Sequence, residues 1–64
     1  MFHVEDRVEI ISDARIGTIK EIQGGIDAVN MPGAVEVIRN CRVQFGNDFT
    51  KFEWFKPEQL RLAK

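Results

Sequence analysis

Few side chains in this 64-residue sequence can take part in catalysis, because the most reactive types occur only once. His3 is the single histidine, Ser12 the single serine and Cys41 the single cysteine. A nucleophilic triad needs a base beside its nucleophile, and Ser12 has no second histidine to assist it. One histidine and one cysteine match no zinc-binding spacing, and the glycines form no phosphate-binding loop. The sequence therefore predicts no catalytic residue, no cofactor and no metal site within one chain.

Aromatic rings are the other chemically informative group, and most of them lie in one short stretch. Five of the six fall between residues 43 and 55: Phe45, Phe49, Phe52, Trp54 and Phe55. Such rings form either the core of a small domain or the centre of a surface that binds a partner. The strand register of this stretch decides between the two.

Composition describes one small globular domain spanning residues 1–64. The chain is 44% hydrophobic and 30% charged, which is typical of folded proteins. At this length a single core is near the lower limit for folding without a disulfide or a metal. A homodimer that hides further apolar surface is therefore one expectation.

Charge and hydropathy narrow the choice of partner and location. The net charge is −1, with −3 in residues 1–32 and +2 in residues 33–64. Proteins that bind nucleic acid usually carry a clear basic excess, so nucleic acid is the less favoured partner. No apolar run approaches the ~20 residues needed to span a bilayer, and no secretory leader is recognisable. We expect a cytoplasmic protein without a membrane partner.

Short alternating runs separated by turn residues predict an all-β fold. The predicted strands cover residues 7–11, 16–22, 35–45, 50–56 and 61–63, with a long loop at 24–34 and a 3₁₀ turn at 57–60. Ile19 and Ile22 have opposite parity, which predicts a bulge near Lys20 and Glu21 if both are buried. Gly17 beside that bend predicts a close approach of two backbone segments.

Side-chain chemistry favours one register for the hairpin that holds the aromatic rings. A turn centred on residues 47 and 48 pairs Arg42 with Glu53 and Gln44 with Lys51 on one face. A turn centred on residues 46 and 47 would instead place Arg42 opposite Lys51, a like-charge pair. The first register is therefore our prediction, and it makes Asn47 and Asp48 the turn residues.

This register divides the aromatic rings between two faces. It pairs Val43 with Phe52 and Cys41 with Trp54, so these residues and Phe45 are predicted to form the core. Cys41 becomes a buried, inert thiol although basic residues flank it. Phe49 and Phe55 fall on the outer face, where they could meet a partner.

The order of segments "DRVEII", "GTIKEI", "CRVQF" and "FEWFKPEQL" resembles an SH3-like small β-barrel of the Tudor or KOW type, over about residues 6–62. The resemblance implies a five-stranded barrel with a long loop between strands 2 and 3. Tudor-like domains hold methylated lysine or arginine in an aromatic cage, and Phe45, Phe49 and Phe52 occupy suitable positions. The first turn, residues 12–15, adds no aromatic ring, and the chain has no tyrosine, so half of the cage is absent.

The favoured function is a non-catalytic protein-interaction module that binds a protein partner or another copy of itself. Phe49 and Phe55 would be its anchors, and Gln44 and Lys51 its polar rim. One alternative is a KOW-like module that contacts nucleic acid through the basic residues Arg39, Arg42, Lys51, Lys56 and Arg61. The other is an oligomeric enzyme whose active site forms at a subunit interface.

Overall fold

The computed structural model describes residues 2–27 and 35–63, which form an all-β protein of five antiparallel strands. The strands are β1 (Arg7–Ile10), β2 (Ile16–Asp27), β3 (Val35–Gln44), β4 (Phe52–Phe55) and β5 (Leu60–Leu62). A 3₁₀ turn, Pro57–Gln59, precedes β5, and the described residues contain no α-helix. The predicted fold class and the order of elements are confirmed. In the same residues, no helical segment is present that has the length and apolar character to traverse a bilayer.

The strands form one sheet in the order β4-β3-β2-β1-β5. Strands β4 and β5 are therefore its two edges, and no hydrogen-bonded ladder joins them among the described residues. The chain passes from one edge to the other through the 3₁₀ turn. The sheet is thus open along one side, and among the described residues no strand pairs with β4 on the side away from β3.

A bulge in β2 lets Ile19 and Ile22 face the core together. Ile19 pairs with Val43 and the next pair is Glu21 with Arg42, so Lys20 is the extra residue. Ile19 is fully buried, and Ile22 packs against the same core. The predicted bulge is confirmed, because only an inserted residue can bring side chains of opposite parity to one face.

The core is thin and lies on one face of the bent sheet. Among the residues whose burial the structure describes, seven hydrophobic ones are buried: Val8, Ile10, Ile19, Cys41, Val43, Phe55 and Leu60. Along β1 the burial alternates with a period of two, which is the expected pattern for a strand with one face on a core. Phe2, Ile22, Ile38 and Phe45 pack around this cluster.

Strands β2 and β3 form a ribbon that continues past their neighbours. Among the described residues, β2 pairs with β1 only at residues 16–18, and β3 pairs with β4 only at residues 41–44. Residues 24–27 and 35–38 pair with each other and with no other strand that the structure describes, and the molecule measures 41 × 21 × 17 Å. The first four residues of the predicted loop at 24–34 therefore belong to β2, and residues 28–34 lie outside the described residues. Gly24 and Gly25 have low strand propensity, but both pair with β3, opposite Ile38 and Val37.

Gly17 allows the sheet to bend sharply at the start of β2. A Cβ atom at this position would lie 2.5 Å from Cγ1 of Val43 and 2.7 Å from the carbonyl oxygen of Gln44. Both distances are far below van der Waals contact, and the second involves backbone. The close approach predicted at Gly17 is confirmed.

We predict that Gly17→Ala lowers the free energy of unfolding by about 1–3 kcal/mol, because the sheet must open to admit the methyl group. Urea denaturation followed by tryptophan fluorescence measures the loss. Gly46→Ala provides a contrast: its Cβ would meet nothing within 4 Å, but its φ of +69° is strained for alanine. A Gly17→Ala protein with unchanged stability would contradict the tight packing described here.

Candidate interaction surface

Strand β4 pairs with β3 one position away from the predicted register. Phe55 lies opposite Cys41, Trp54 opposite Arg42, and Phe52 opposite Gln44. The predicted pairs of Cys41 with Trp54 and of Arg42 with Glu53 are not formed. The predicted register is therefore wrong by one residue.

The reason lies in the hairpin loop, which is longer than a two-residue turn. The amide of Phe45 donates to the carbonyl of Lys51 over 2.9 Å, so the loop holds the five residues 46–50. Gly46 adopts a φ of +69°, a conformation that glycine reaches without strain. Asp48 Oδ1 accepts hydrogen bonds from the amide of Thr50 at 2.9 Å and from its hydroxyl at 2.6 Å. These local bonds stabilise the longer loop and fix the register.

The shift exchanges the predicted positions of three aromatic rings. Phe55 is only 8% exposed and packs edge-to-face on Phe45, with ring centroids 6.4 Å apart. Its predicted place on the outer face is wrong, since it belongs to the core. Phe52 and Trp54, predicted to be buried, are each 41% exposed. Phe49, in the hairpin loop, is 75% exposed, as expected for its outward position.

The two polar residues of the predicted site lie on different sides of the hairpin. Gln44 is half-buried opposite Phe52, and its Nε2 donates to the carbonyl of Gly46 over 3.2 Å. Lys51 is exposed and lies opposite Phe45, so the predicted pair of Gln44 with Lys51 is not formed. Phe49 is therefore exposed and Gln44 partly exposed, whereas Lys51 does not lie beside Gln44.

Phe52 and Trp54 lie on one face of β4 because side chains alternate along a strand. With Arg42 and Gln44 from β3 they form a patch that we call the outer aromatic surface. The guanidinium of Arg42 lies 5.1 Å from the centroid of the Phe52 ring, and its Nε is 3.5 Å from a carboxylate oxygen of Glu21. This Nε is buried without a hydrogen bond, so the ring and the nearby carboxylate hold Arg42 in place.

A groove of about 560 Å³ lies between β4 and the first turn, and both Phe52 and Glu53 line it. The guanidinium of Arg15 lies 4.6 Å from the centroid of Phe45 and bonds Glu53 over 3.2 and 3.5 Å. Asp13 also accepts from Arg15, at 2.8 Å. The bonds to Glu53 and Asp13 raise the pKa of Arg15, and the amide of Arg15 lowers the pKa of Asp13. Sequence reasoning missed this cluster, because the link between Arg15 and Glu53 spans 38 residues.

Strand β4 also presents unused backbone groups. The amide of Phe45 donates to the carbonyl of Lys51, which places these two residues at a hydrogen-bonded position, and such positions recur at every second residue of an antiparallel ladder. Glu53 and Phe55 therefore bond to β3, whereas the N–H and C=O groups of Phe52 and Trp54 point away from it. Within the described part of the chain, those groups take part in no backbone hydrogen bond outside the ladders. An edge of this kind is a template for a further strand.

The five basic residues considered for nucleic-acid binding do not share one surface. Arg39 and Lys56 line a second groove, and Lys51 lines the first. Arg42 is held next to Glu21, while Arg61 lies on β5 at the other edge and bonds Glu9 over 2.9 Å. The structure therefore brings only two of the five together.

The reactive groups of the chain are not assembled into a site. Cys41 is fully buried, and burial raises the pKa of its thiol, which disfavours the reactive thiolate. Its inward position is confirmed, with Phe55 rather than Trp54 opposite. His3 is exposed, with Nδ1 3.8 Å from a carboxylate oxygen of Asp6. Residues 2–27 and 35–63 contain no group of three potential ligands that could hold a metal.

No protein-family model, no curated protein and no solved structure matches this chain.

The observed register gives opposite expectations for two neighbouring aromatic residues. Phe55→Ala should lower the free energy of unfolding by about 3–5 kcal/mol, because the ring is buried in the core. Trp54→Ala should cost distinctly less, because the indole is 41% exposed. Urea denaturation followed by circular dichroism compares them, with Phe55→Leu as the variant to use if Phe55→Ala does not fold. Equal losses for Phe55 and Trp54 would contradict the register.

Asp48 should make the hairpin loop sensitive to acid. Its hydrogen bonds from Thr50 lower the pKa of the carboxyl below its usual value of 3.8. The stabilisation is fully present above that value and is lost as the pH falls through the lower folded-state pKa. We expect the wild type to melt above Asp48→Asn at neutral pH, and the difference to shrink toward pH ~2. A difference that stays constant with pH would show that the loop does not favour the ionised form.

Proposed function

We propose that this chain is a non-catalytic protein-interaction module that binds through strand β4 and the adjoining hairpin loop. The observation that carries the proposal is the exposure of three large aromatic residues there: Phe49 at 75%, Phe52 at 41% and Trp54 at 41%. Aromatic residues are enriched at the centres of protein interfaces, where they bury much area at a low entropic cost. The binding surface consists of these rings with Gln44 at its margin, and Phe55 serves the core.

The five antiparallel strands and the 3₁₀ turn before β5 support the SH3-like barrel of Tudor or KOW type that the sequence resembles. Recognition of a methylated lysine or arginine is not the function that we favour. The Arg15 guanidinium already lies 4.6 Å from Phe45, and Arg42 lies 5.1 Å from Phe52. Two of the rings that a cage would need therefore already interact with a cation of the same chain.

A KOW-like module that contacts nucleic acid is the second candidate, and the charge distribution makes it the weaker one. The net charge is −1, and Arg42 and Arg61 already lie next to carboxylates. An enzyme with its active site between subunits is the third. For all three we propose a cytoplasmic location, which suits a buried cysteine that stays reduced.

A pull-down tests the proposal. The protein is immobilised and incubated with native lysate, and the retained proteins are measured. Trp54→Ala and Phe49→Ala should each reduce the amounts of specifically retained proteins at least several-fold. Leu62→Ala is the matched control, because Leu62 is 56% exposed but lies on the opposite edge strand. Phe49→Ala should change the free energy of unfolding by no more than about 0.5 kcal/mol, since its ring is largely in solvent.

Two results would contradict the proposal. One is a set of retained proteins that is the same for the wild type and Trp54→Ala. The other is retention on generic RNA or DNA at low ionic strength that falls steeply with added salt, which would favour the nucleic-acid module.

A further inference from the structure

We infer that a second copy of this chain is the partner of strand β4, and that two β4 strands pair antiparallel around Glu53 to form a symmetric dimer. The inference rests on the proposed function, because it fills the surface assigned there. The sequence "KFEWFK" around Glu53 has an aromatic residue on each side of it and a lysine near each end. The strand is thus nearly symmetric about Glu53, so two antiparallel copies place similar side chains opposite each other.

The backbone groups available on β4 select the register. A centre at Phe52 would require Trp54 to pair with Thr50 of the second copy, and the Thr50 amide already donates to Asp48. A centre at Trp54 would require Phe52 to pair with Lys56, whose amide already donates to Gln59 Oε1 over 2.9 Å. A centre at Glu53 uses only Phe52 and Trp54 of each copy, whose N–H and C=O groups all point outward. This register forms four hydrogen bonds between two extended strands.

The outer aromatic surface gains directly from this pairing. Phe52 of each copy stands opposite Trp54 of the other, on the face that also carries Arg42 and Gln44. Cross-strand aromatic pairs are among the more favourable pairs in a sheet. The two half-exposed rings of each copy thus cover each other, and the two sheets join into one continuous sheet of ten strands.

On the face of β4 that carries Glu53, the dimer gives the contact between Arg15 and Glu53 a role. The two Glu53 side chains stand opposite each other at the centre of the dimer, and like charges there are unfavourable. Each carboxylate is held by Arg15 of its own chain, at 3.2 and 3.5 Å. Arg15 therefore reduces the repulsion between the copies. Removing the charge of Glu53 should strengthen the dimer, and removing Arg15 should weaken it.

Cysteine cross-linking tests the register. At the centre of the pairing the two Cα atoms of residue 53 lie about 4.5 Å apart, within the range that a disulfide spans. Glu53→Cys should form a covalent dimer under mild oxidation. Lys51→Cys is the matched control on the same strand, because its two copies would lie four residues apart along the ladder, about 13 Å. We expect Glu53→Cys to cross-link about tenfold faster or more. The buried Cys41 should leave the wild type reduced.

Sedimentation equilibrium tests the charge relation without introducing a thiol. Glu53→Gln should lower the Kd of the dimer several-fold, and Arg15→Ala should raise it several-fold. In a Glu53→Gln background, Arg15→Ala should have little further effect, since no repulsion remains to be reduced. Circular dichroism verifies that each variant is folded, and Arg15→Lys replaces Arg15→Ala if the latter is not.

Three results would overturn the inference. They are a wild type that stays monomeric at all concentrations, a Lys51→Cys variant that cross-links as fast as Glu53→Cys, and open-ended oligomers that join β4 to the β5 edge of the next copy. If other proteins are still retained through Trp54 in any of these cases, the proposed function stands and only the self-association fails.

Discussion

Strand β4 meets β3 with Phe55 opposite Cys41, and the character of the whole surface depends on that pairing. Side chains alternate along a strand, so burying Phe55 turns Phe52 and Trp54 outward together. The hairpin loop enforces this choice through the bonds between Asp48 and Thr50. A core that takes one ring from this strand leaves two on the edge of the sheet.

Arginine residues organise both sides of the same strand. Arg42 lies next to the Phe52 ring on the outer face, and Arg15 lies next to Phe45 on the other. Each also interacts with a carboxylate, Glu21 in one case and Glu53 in the other. A cation placed between a ring and a carboxylate has little freedom to move, so these contacts hold the surroundings of β4 in a defined geometry before any partner arrives. The basic residues that look available in the sequence are thus partly committed to the fold itself.

Much of the architecture could be predicted from local signals in the sequence. Alternation identified the five strands, the parity of Ile19 and Ile22 located the bulge, and Gly17 marked the close approach. The predicted register was wrong because it assumed a two-residue turn, whereas the loop holds residues 46–50 and is stabilised by the bonds between Asp48 and Thr50. These loop bonds join polar side chains and backbone groups, so the pattern of hydrophobic residues does not predict them. A further difficulty was the contact between Arg15 and Glu53, since no local pattern connects two residues 38 positions apart.

The ribbon formed by the far ends of β2 and β3 gives the protein two levels of cooperativity. Residues 24–27 and 35–38 are paired with each other, and no third strand within residues 2–27 and 35–63 pairs with them. A two-stranded ribbon is only marginally stable by itself in water. The hydrogen bonds of this ribbon can therefore break, and its amides can exchange with solvent, while the core around Val8, Ile19 and Val43 stays folded. Strands β2 and β3 thus each span two units of different stability.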